Sequence, residues 1–250
     1  MPEALASVFA TPGFFWLVLT IAVAGIVRGF TGFGTALIFV PVAGQFLPPE
    51  VIILVVTVTG VGSAAALLPR AWSRADRGEI GVLVGAAVVT VPLGLWILTQ
   101  IEVLTVRWVV AGIACITLAA VVSGWQWRGK LGVPGLISIG GAAGLMGGMT
   151  GLTGPVVIMF YLANARSAQA VRATTIVFLA SLDVVIILYL LAQGRVDLTI
   201  VWLGVILSVP YFATSLIGQR LFVPAMEKTY HTAAYVVIGL AVITGMPLFD

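Results

Sequence analysis

Charged residues divide the chain into long apolar stretches. Uncharged runs such as 80–101 and 198–219 reach the ~20 residues that a helix needs to cross ~30 Å of hydrocarbon. The pattern predicts six simple spanning helices, at 51–68, 80–101, 106–124, 170–192, 198–219 and 230–248.

Two further apolar stretches, 14–48 and 131–165, are too long for one simple crossing. Each is interrupted near its centre by a glycine-rich passage, RGFTGFG at 28–34 and GGMTGLTGP at 147–155. We expect both stretches to be broken helices. Backbone without helical hydrogen bonds is tolerated in a membrane only inside protein or beside a wet cavity, so the two passages should meet there.

Composition supports a membrane protein. Of the 250 residues, 61% are hydrophobic and 8% are charged, and the mean hydropathy is +1.19, which excludes an ordinary soluble domain. The net charge of +3 is interpreted as an orientation signal and not as a nucleic-acid surface. With one His and one Cys, no metal site and no cofactor are predicted. Phosphate-loop and His-Glu-x-x-His motifs do not occur, so no enzyme is predicted.

The chain repeats itself. A constant offset of 119 residues pairs the two glycine passages without a gap, and Pro92 and Pro210, 118 apart, are expected to lie at matching depth. We therefore predict two transmembrane repeats, 1–127 and 128–250. The offset superposes Gly25, Gly29, Thr31 and Gly32 on Gly144, Gly148, Thr150 and Gly151.

The basic residues favour one topology. If both broken segments cross the membrane, six basic residues lie on one side and five on the other. If both are re-entrant hairpins, nine lie on one side, two (Arg107 and Arg195) lie on the other, and Arg28 lies in the membrane. The second split agrees with the positive-inside rule. Each repeat then has a hairpin and three spanning helices. An odd number of crossings inverts the second repeat and places both termini outside, an arrangement that recurs in secondary transporters.

Candidate chemistry is concentrated at the glycine passages. Glycine lets backbone approach a ligand, and helices that resume after the passages point positive N-termini at an anion. Arg28 adds a permanent charge with a planar fork, and Asp183 is an intramembrane acid that could carry a coupling proton. The candidate substrate-binding residues are Arg28, Gly29, Thr31, Gly32, Phe33, Gly34, Thr150, Gly151, Thr153, Gly154 and Arg172.

Structural roles compete with these assignments. The outer glycines have the small-xxx-small spacing of tightly packed helices. Asp183 could instead form a fixed ion pair with Arg28, and Arg172 could be a topology anchor at a helix start. Sequence spacing leaves these alternatives open.

The glycine motifs also carry a family resemblance. Residues 29–41, GFTGFGTALIFVP, resemble the first glycine motif of the TauE/SafE sulfite exporters, also called 4-toluene sulfonate uptake permeases, and TGLTGP at 150–155 is similar to its second-half counterpart. The resemblance implies a carrier in the bacterial inner membrane for small sulfur-containing or organic anions. Phe33, Thr35, Leu152 and Thr153 replace glycines that many members have.

Together these features predict an all-α secondary transporter, an exporter of anions such as sulfite or sulfonates, working by alternating access at a midplane site. Its expected partners are the anion, the lipid bilayer and a coupling proton, and a homodimer is left open. A passive anion channel and a non-transporting membrane scaffold are the alternatives. A continuous glycine filter would favour the channel.

Overall fold

The chain folds into α-helices. The computed structural model describes residues 2–31, 34–125, 132–157, 159, 168–221 and 227–248, and this part of the chain contains no strand. The helices are α1 (Pro2–Phe9), α2 (Phe14–Thr31), α3 (Thr35–Ala43), α4 (Pro49–Trp72), α5 (Arg77–Leu98), α6 (Val103–Val122), α7 (Val133–Thr150), α8 (Gly154–Val156), α9 (Ala168–Ala192), α10 (Leu198–Leu221) and α11 (Glu227–Gly245).

Several of these helices suit a lipid bilayer. Large apolar side chains such as Phe15, Val89 and Val209 lie exposed on their outer faces, where a soluble protein would have polar residues. The prediction of an all-α polytopic membrane protein is confirmed. Five described helices are long and apolar enough to cross a membrane, Arg77–Leu98, Val103–Val122, Val133–Thr150, Ala173–Ala192 and Leu198–Leu221, and three shorter apolar helices are Phe14–Gly29, Pro49–Gly62 and Thr229–Gly245.

The first broken segment folds back on itself. Gly34 has φ 99°, the left-handed conformation that favours glycine, and caps the start of α3. Gly13, just before α2, lies directly against the ring of Phe46, just after α3. Helices α2 and α3 are therefore the two arms of an antiparallel hairpin, and the chain returns to the end at which α2 begins.

The second broken segment also breaks at a left-handed glycine, here at the end of its first helix. Helix α7 ends at Gly151, which has φ 75° and donates its N–H to the carbonyl of Gly147. The short helix α8 follows within three residues, and Thr153 packs back on Gly147. The predicted return arm of the second broken segment falls on residues 158 and 160–167, which lie outside the described residues.

Glycines let the first helix of each broken segment, α2 or α7, pack closely on a helix from the other half of the chain. On α2, Gly25 lies against the Tyr211 carbonyl and Gly29 against the Ser215 carbonyl of α10. These pairs advance together along both helices, so α2 and α10 run parallel. The packing role proposed for the outer glycines is therefore present in the fold.

The other half shows the same arrangement. On α7, Gly144 lies against Ala87 and Gly148 against Val91 of α5, again in parallel. Tyr211 and Ala87 are 124 residues apart, as are Ser215 and Val91, whereas the paired glycines are 119 apart.

This register corrects the proline pairing. Pro92 adjoins Val91, at the level of Gly148, whereas Pro210 adjoins Tyr211, at the level of Gly25. Since the contacts relate α5 and α10 by 124 residues and not 118, the expectation that the two prolines lie at matching depth is wrong. In strongly apolar helices a shared Val-Pro pair is weaker evidence of register than the small residues that touch.

Helices α4 and α9 face each other at the centre. Gly60 contacts Asp183 near the middle of both helices, and the Asp76 N–H after α4 donates to Thr174 Oγ1 near the start of α9 at 2.9 Å. The two helices therefore run antiparallel. Helix α10 runs parallel to α4, because Gly204 contacts Val58 and Gly62 contacts Ser208.

Candidate functional site

A central cavity of about 100 Å³ lies between the two glycine passages. Its volume holds several water molecules or one small ion. Gly34 borders it from the first passage, and Thr153 and Gly154 from the second. Helices α4, α9 and α10 complete the wall. We call this space the central cavity.

Two opposite charges line the central cavity. Arg28, near the end of α2, and Asp183, in the middle of α9, both border it and are both half-buried. They are close enough to interact electrostatically. Within the described residues, however, neither side chain forms an ion pair or a hydrogen bond. Both charges therefore face the same cavity, and the choice between a fixed ion pair and a proton carrier at Asp183 stays a prediction.

The first turn of α3 faces the same cavity. Gly34, Thr35, Ala36 and Leu37 all line it, and no side chain caps this helix. The first N–H groups of a helix have no partner within the helix, and the helix dipole is positive at that end. The arrangement suits a negatively charged ligand.

Hydroxyl groups add hydrogen-bonding capacity to the wall. Thr35 Oγ1 and Tyr211 Oη lie 2.9 Å apart and are buried, so Tyr211 holds the start of α3 against α10. Thr175 Oγ1 is buried at the cavity and has no hydrogen-bond partner among the described residues. A buried hydroxyl without a partner is costly, and a bound ligand would supply one.

A glycine makes room for the acid. Gly60 of α4 lies directly against the Asp183 carboxylate, so that any side chain there would displace it. Helix α4 therefore fixes where the acid points. Thr59, the neighbouring cavity residue, turns its hydroxyl back to the Val56 carbonyl at 2.8 Å.

The predicted site residues fall into distinct groups. Gly29 packs on α10, and Thr31 Oγ1 donates to the Val27 carbonyl at 2.7 Å; neither lines the central cavity. Thr150 and Gly151 lie on the other side of the second passage, as described below. Gly32, Phe33 and the Arg172 side chain lie outside the described residues. The structure brings together Arg28, Gly34, Thr153, Gly154 and Asp183.

Sequence reasoning missed five polar or small residues of the cavity wall. Thr35 directly follows the glycine passage at 28–34 and lies within the family motif at 29–41, and Thr175 is close to Arg172, so position along the chain offered a signal for both. The others lie on α4 and α10, far from either motif. The missed residues are Thr35, Thr59, Gly60, Thr175 and Tyr211.

Comparison with known families agrees with this geometry. The family model described as "Sulfite exporter TauE/SafE" matches residues 17–246, which is most of the chain. The chain belongs to the TauE/SafE sulfite exporter family. The match runs from α2 to the end of α11, so both glycine passages fall within it. No curated protein and no solved structure matches significantly.

Membership in the TauE/SafE family fixes the class of function. Its members are membrane transporters of the sulfite or anion exporter type and not enzymes. The chain is therefore a multi-pass membrane transporter with a lipid bilayer around it and an anion as its class of substrate.

Proposed function

We propose that this protein exports a small sulfur-containing anion, such as sulfite or a short sulfonate, by alternating access at the central cavity. The observation that carries the proposal is the meeting of Arg28, the α3 N-terminus and the second glycine passage around one cavity of about 100 Å³. The guanidinium fork matches sulfonate or carboxylate oxygens. So small a volume favours a compact anion over an aromatic sulfonate.

We also propose that the anion travels with a proton on Asp183. Arg28 and an ionised Asp183 balance each other in the empty cavity, and adding an anion would leave one uncompensated negative charge. An uncompensated charge inside a membrane is costly. Protonation of Asp183 removes it. Among the described lining residues, Arg28 on α2 is the facing charge and Tyr211 on α10 the other titratable group, while α4 contributes neither.

The proposed architecture is two inverted repeats, 1–127 and 128–250, in a bacterial inner membrane with both termini outside. The antiparallel pair α4 and α9 and the matching pairs α2–α10 and α5–α7 support it. The central cavity extends along α4 from Val56 to Ala64, toward the end at which Arg74 and Arg77 lie. By the positive-inside rule that end is cytoplasmic, as an exporter loading its substrate requires.

The test is thermal unfolding of the detergent-purified protein with sulfite, sulfate, sulfoacetate, isethionate, taurine or acetate. Ligands that bind only the folded state raise the unfolding temperature. We expect a rise with sulfite or a short sulfonate, and its loss in Arg28→Gln. Arg195→Gln, which removes an exposed charge outside the cavity, is the matched control and should keep the rise.

Two results would contradict the proposal. One is an unfolding temperature that no anion raises. The other is an equal rise in Arg28→Gln and in the wild type, which would place the anion elsewhere. Sulfite efflux from proteoliposomes, saturable and without ohmic conductance, separates a carrier from a channel.

A further inference from the structure

A second, smaller cavity lies between the second half of α3 and the end of α7. Its volume is about 20 Å³, and Arg107 of α6, Thr150 of α7 and Ile52 of α4 line it together with the second half of α3. We call it the Arg107 cavity. It holds at most one or two water molecules.

The two cavities lie along the same three elements. On α3, Leu37 borders the central cavity and Val40 the Arg107 cavity. On α4 the corresponding residues are Val56 and Ile52, four residues apart. That separation is about 6 Å along a helix. The second glycine passage contributes Thr153 to one cavity and Thr150 to the other.

A thin apolar layer closes the space between them. An added methyl group at Gly151 would lie 3.6 Å from Ile53 and 3.7 Å from Val40, so these three residues are in contact distance. Ile53 is 1% exposed and the adjoining Leu152 is fully buried. We call Val40, Ile53 and Gly151 the closed layer. It is about one helical turn thick.

Arg107 gives the smaller cavity its chemistry. The side chain is half-buried, and its Nη2 donates to the Gly245 carbonyl at the end of α11 over 3.4 Å, a long hydrogen bond. Thr150 is the polar neighbour, with its hydroxyl bonded to the Met146 carbonyl at 2.8 Å. A guanidinium among apolar walls suits the same class of anion that Arg28 faces.

We propose that the Arg107 cavity is a second anion-binding station on the far half of the transport path, and that the closed layer is the gate between the two stations. This inference rests on the proposed function, because it takes an anion as the cargo. Arg28 and Arg107 then hold the anion in turn on opposite sides of one gate. The central cavity, at about 100 Å³, is larger than the far station, at about 20 Å³, as expected for a state of an alternating-access cycle in which the anion occupies the central cavity.

The experiment uses the single cysteine of the chain. Cys115→Ser gives a background without thiols, into which Val56→Cys or Ile52→Cys is placed. Intact cells and inverted membrane vesicles are treated with a membrane-impermeant, negatively charged methanethiosulfonate. We expect Val56→Cys to react from the cytoplasmic face and Ile52→Cys from the opposite face. Leu54→Cys, which is 2% exposed on the same helix and lines neither cavity, should react from neither.

Opening the gate gives a second prediction. Ile53→Ala should make Ile52→Cys reactive from the cytoplasmic face as well, because the closed layer is breached. Reaction of Ile52→Cys and Val56→Cys from the same face in the protein that retains Ile53 would overturn the inference. So would no reaction of Ile52→Cys from either face, provided that Val110→Cys on α6, a second reporter of the same cavity, is also silent.

The role of Arg107 is tested separately from the substrate. Arg107→Gln should lower isethionate transport by roughly 10- to 100-fold, the loss of one charge-assisted hydrogen bond, and leave the thermal shift at the central cavity unchanged. Arg107→Lys should retain part of the rate. Equal transport in all three proteins would make Arg107 a cap of α11 only. Protection of Val56→Cys from labelling by isethionate tests the proposed function, because it requires the anion to bind in the central cavity. The sidedness of labelling requires no anion. If isethionate gave no protection while the sidedness was as expected, the proposed function would be rejected and the gate would stand.

Discussion

At the scale of single residues, two adjacent threonines on α9 separate binding from stability. Thr174 Oγ1 accepts a hydrogen bond from the Asp76 backbone, whereas Thr175 Oγ1 has no partner within the described residues and borders the central cavity. Thr175→Val should weaken sulfonate binding by about 3- to 10-fold, as one neutral hydrogen bond would, with the stability of the ligand-free protein unchanged or slightly raised. Titration calorimetry measures the affinity.

Thr174→Val is the matched control. It should lower the free energy of unfolding by about 1 kcal/mol through loss of its hydrogen bond, with the affinity unchanged. If Thr175→Val instead destabilised the protein and bound sulfonate normally, its hydroxyl would be a structural group.

Asp183 makes a prediction about pH. Isethionate keeps one negative charge across the assay range, so any pH dependence belongs to the protein. If anion and proton bind together, transport should fall as pH rises, because a deprotonated Asp183 repels the anion, and Asp183→Asn should be nearly independent of pH. Proteoliposome uptake at matched pH on both sides measures this. The exposed Asp197 provides the control, since Asp197→Asn should keep the wild-type profile.

The site was predictable in part. Arg28 and Asp183 were found because a charge inside an apolar run is expensive and therefore informative. The pairing of Thr35 with Tyr211 was not predicted, since their hydrogen bond joins residues 176 apart and neither residue type is unusual in a membrane helix. Tertiary pairing of that kind leaves no trace in local composition.

At the scale of helices, the packing of glycine decides how closely the two halves approach. A methyl group at Gly148 would come within 2.5 Å of the Val91 carbonyl oxygen, whereas one at Gly85 would meet nothing within 4 Å. Gly148→Ala should therefore destabilise the protein by about 1–3 kcal/mol through overpacking. Gly85→Ala, on the helix that Gly148 packs against, should be neutral or slightly stabilising. Thermal unfolding in detergent compares them; equal unfolding temperatures would contradict the close packing.

Helix positions followed from the sequence far better than helix register. The six simple helices start and end within a few residues of the prediction, for example Arg77–Leu98 against 80–101, because polar residues mark where a span can end. Asp76 shows this directly, since its side chain accepts the Gly78 and Glu79 N–H groups at the start of α5. The apolar interiors of α5 and α10 contain no comparable polar residue to fix their register, which is why the prediction of matching depth for Pro92 and Pro210 was wrong.

At the scale of the whole molecule, the distribution of basic residues predicts the membrane topology, and the directions of the packed helices support it. Helix α9 is antiparallel to α4, and α5 follows α4 after a short loop, so residues 99–102 and 193–197 lie at the same end, opposite residues 73–76. If both broken segments crossed the membrane instead, residues 99–102 and residues 193–197 would lie on opposite faces of the membrane. The two topologies therefore differ at a few exposed positions.

Those positions give the last prediction. In the Cys115→Ser background, Ser73→Cys, Gln100→Cys and Gln193→Cys each add one thiol at an exposed position. Two re-entrant hairpins require Gln100→Cys and Gln193→Cys to react with an impermeant maleimide in intact cells, and Ser73→Cys only in inverted vesicles. Labelling of Gln100→Cys and Gln193→Cys from opposite faces would contradict the inverted repeats. It would also move Arg195 to the face of Arg74, removing the charge bias on which a cytoplasm-facing central cavity depends.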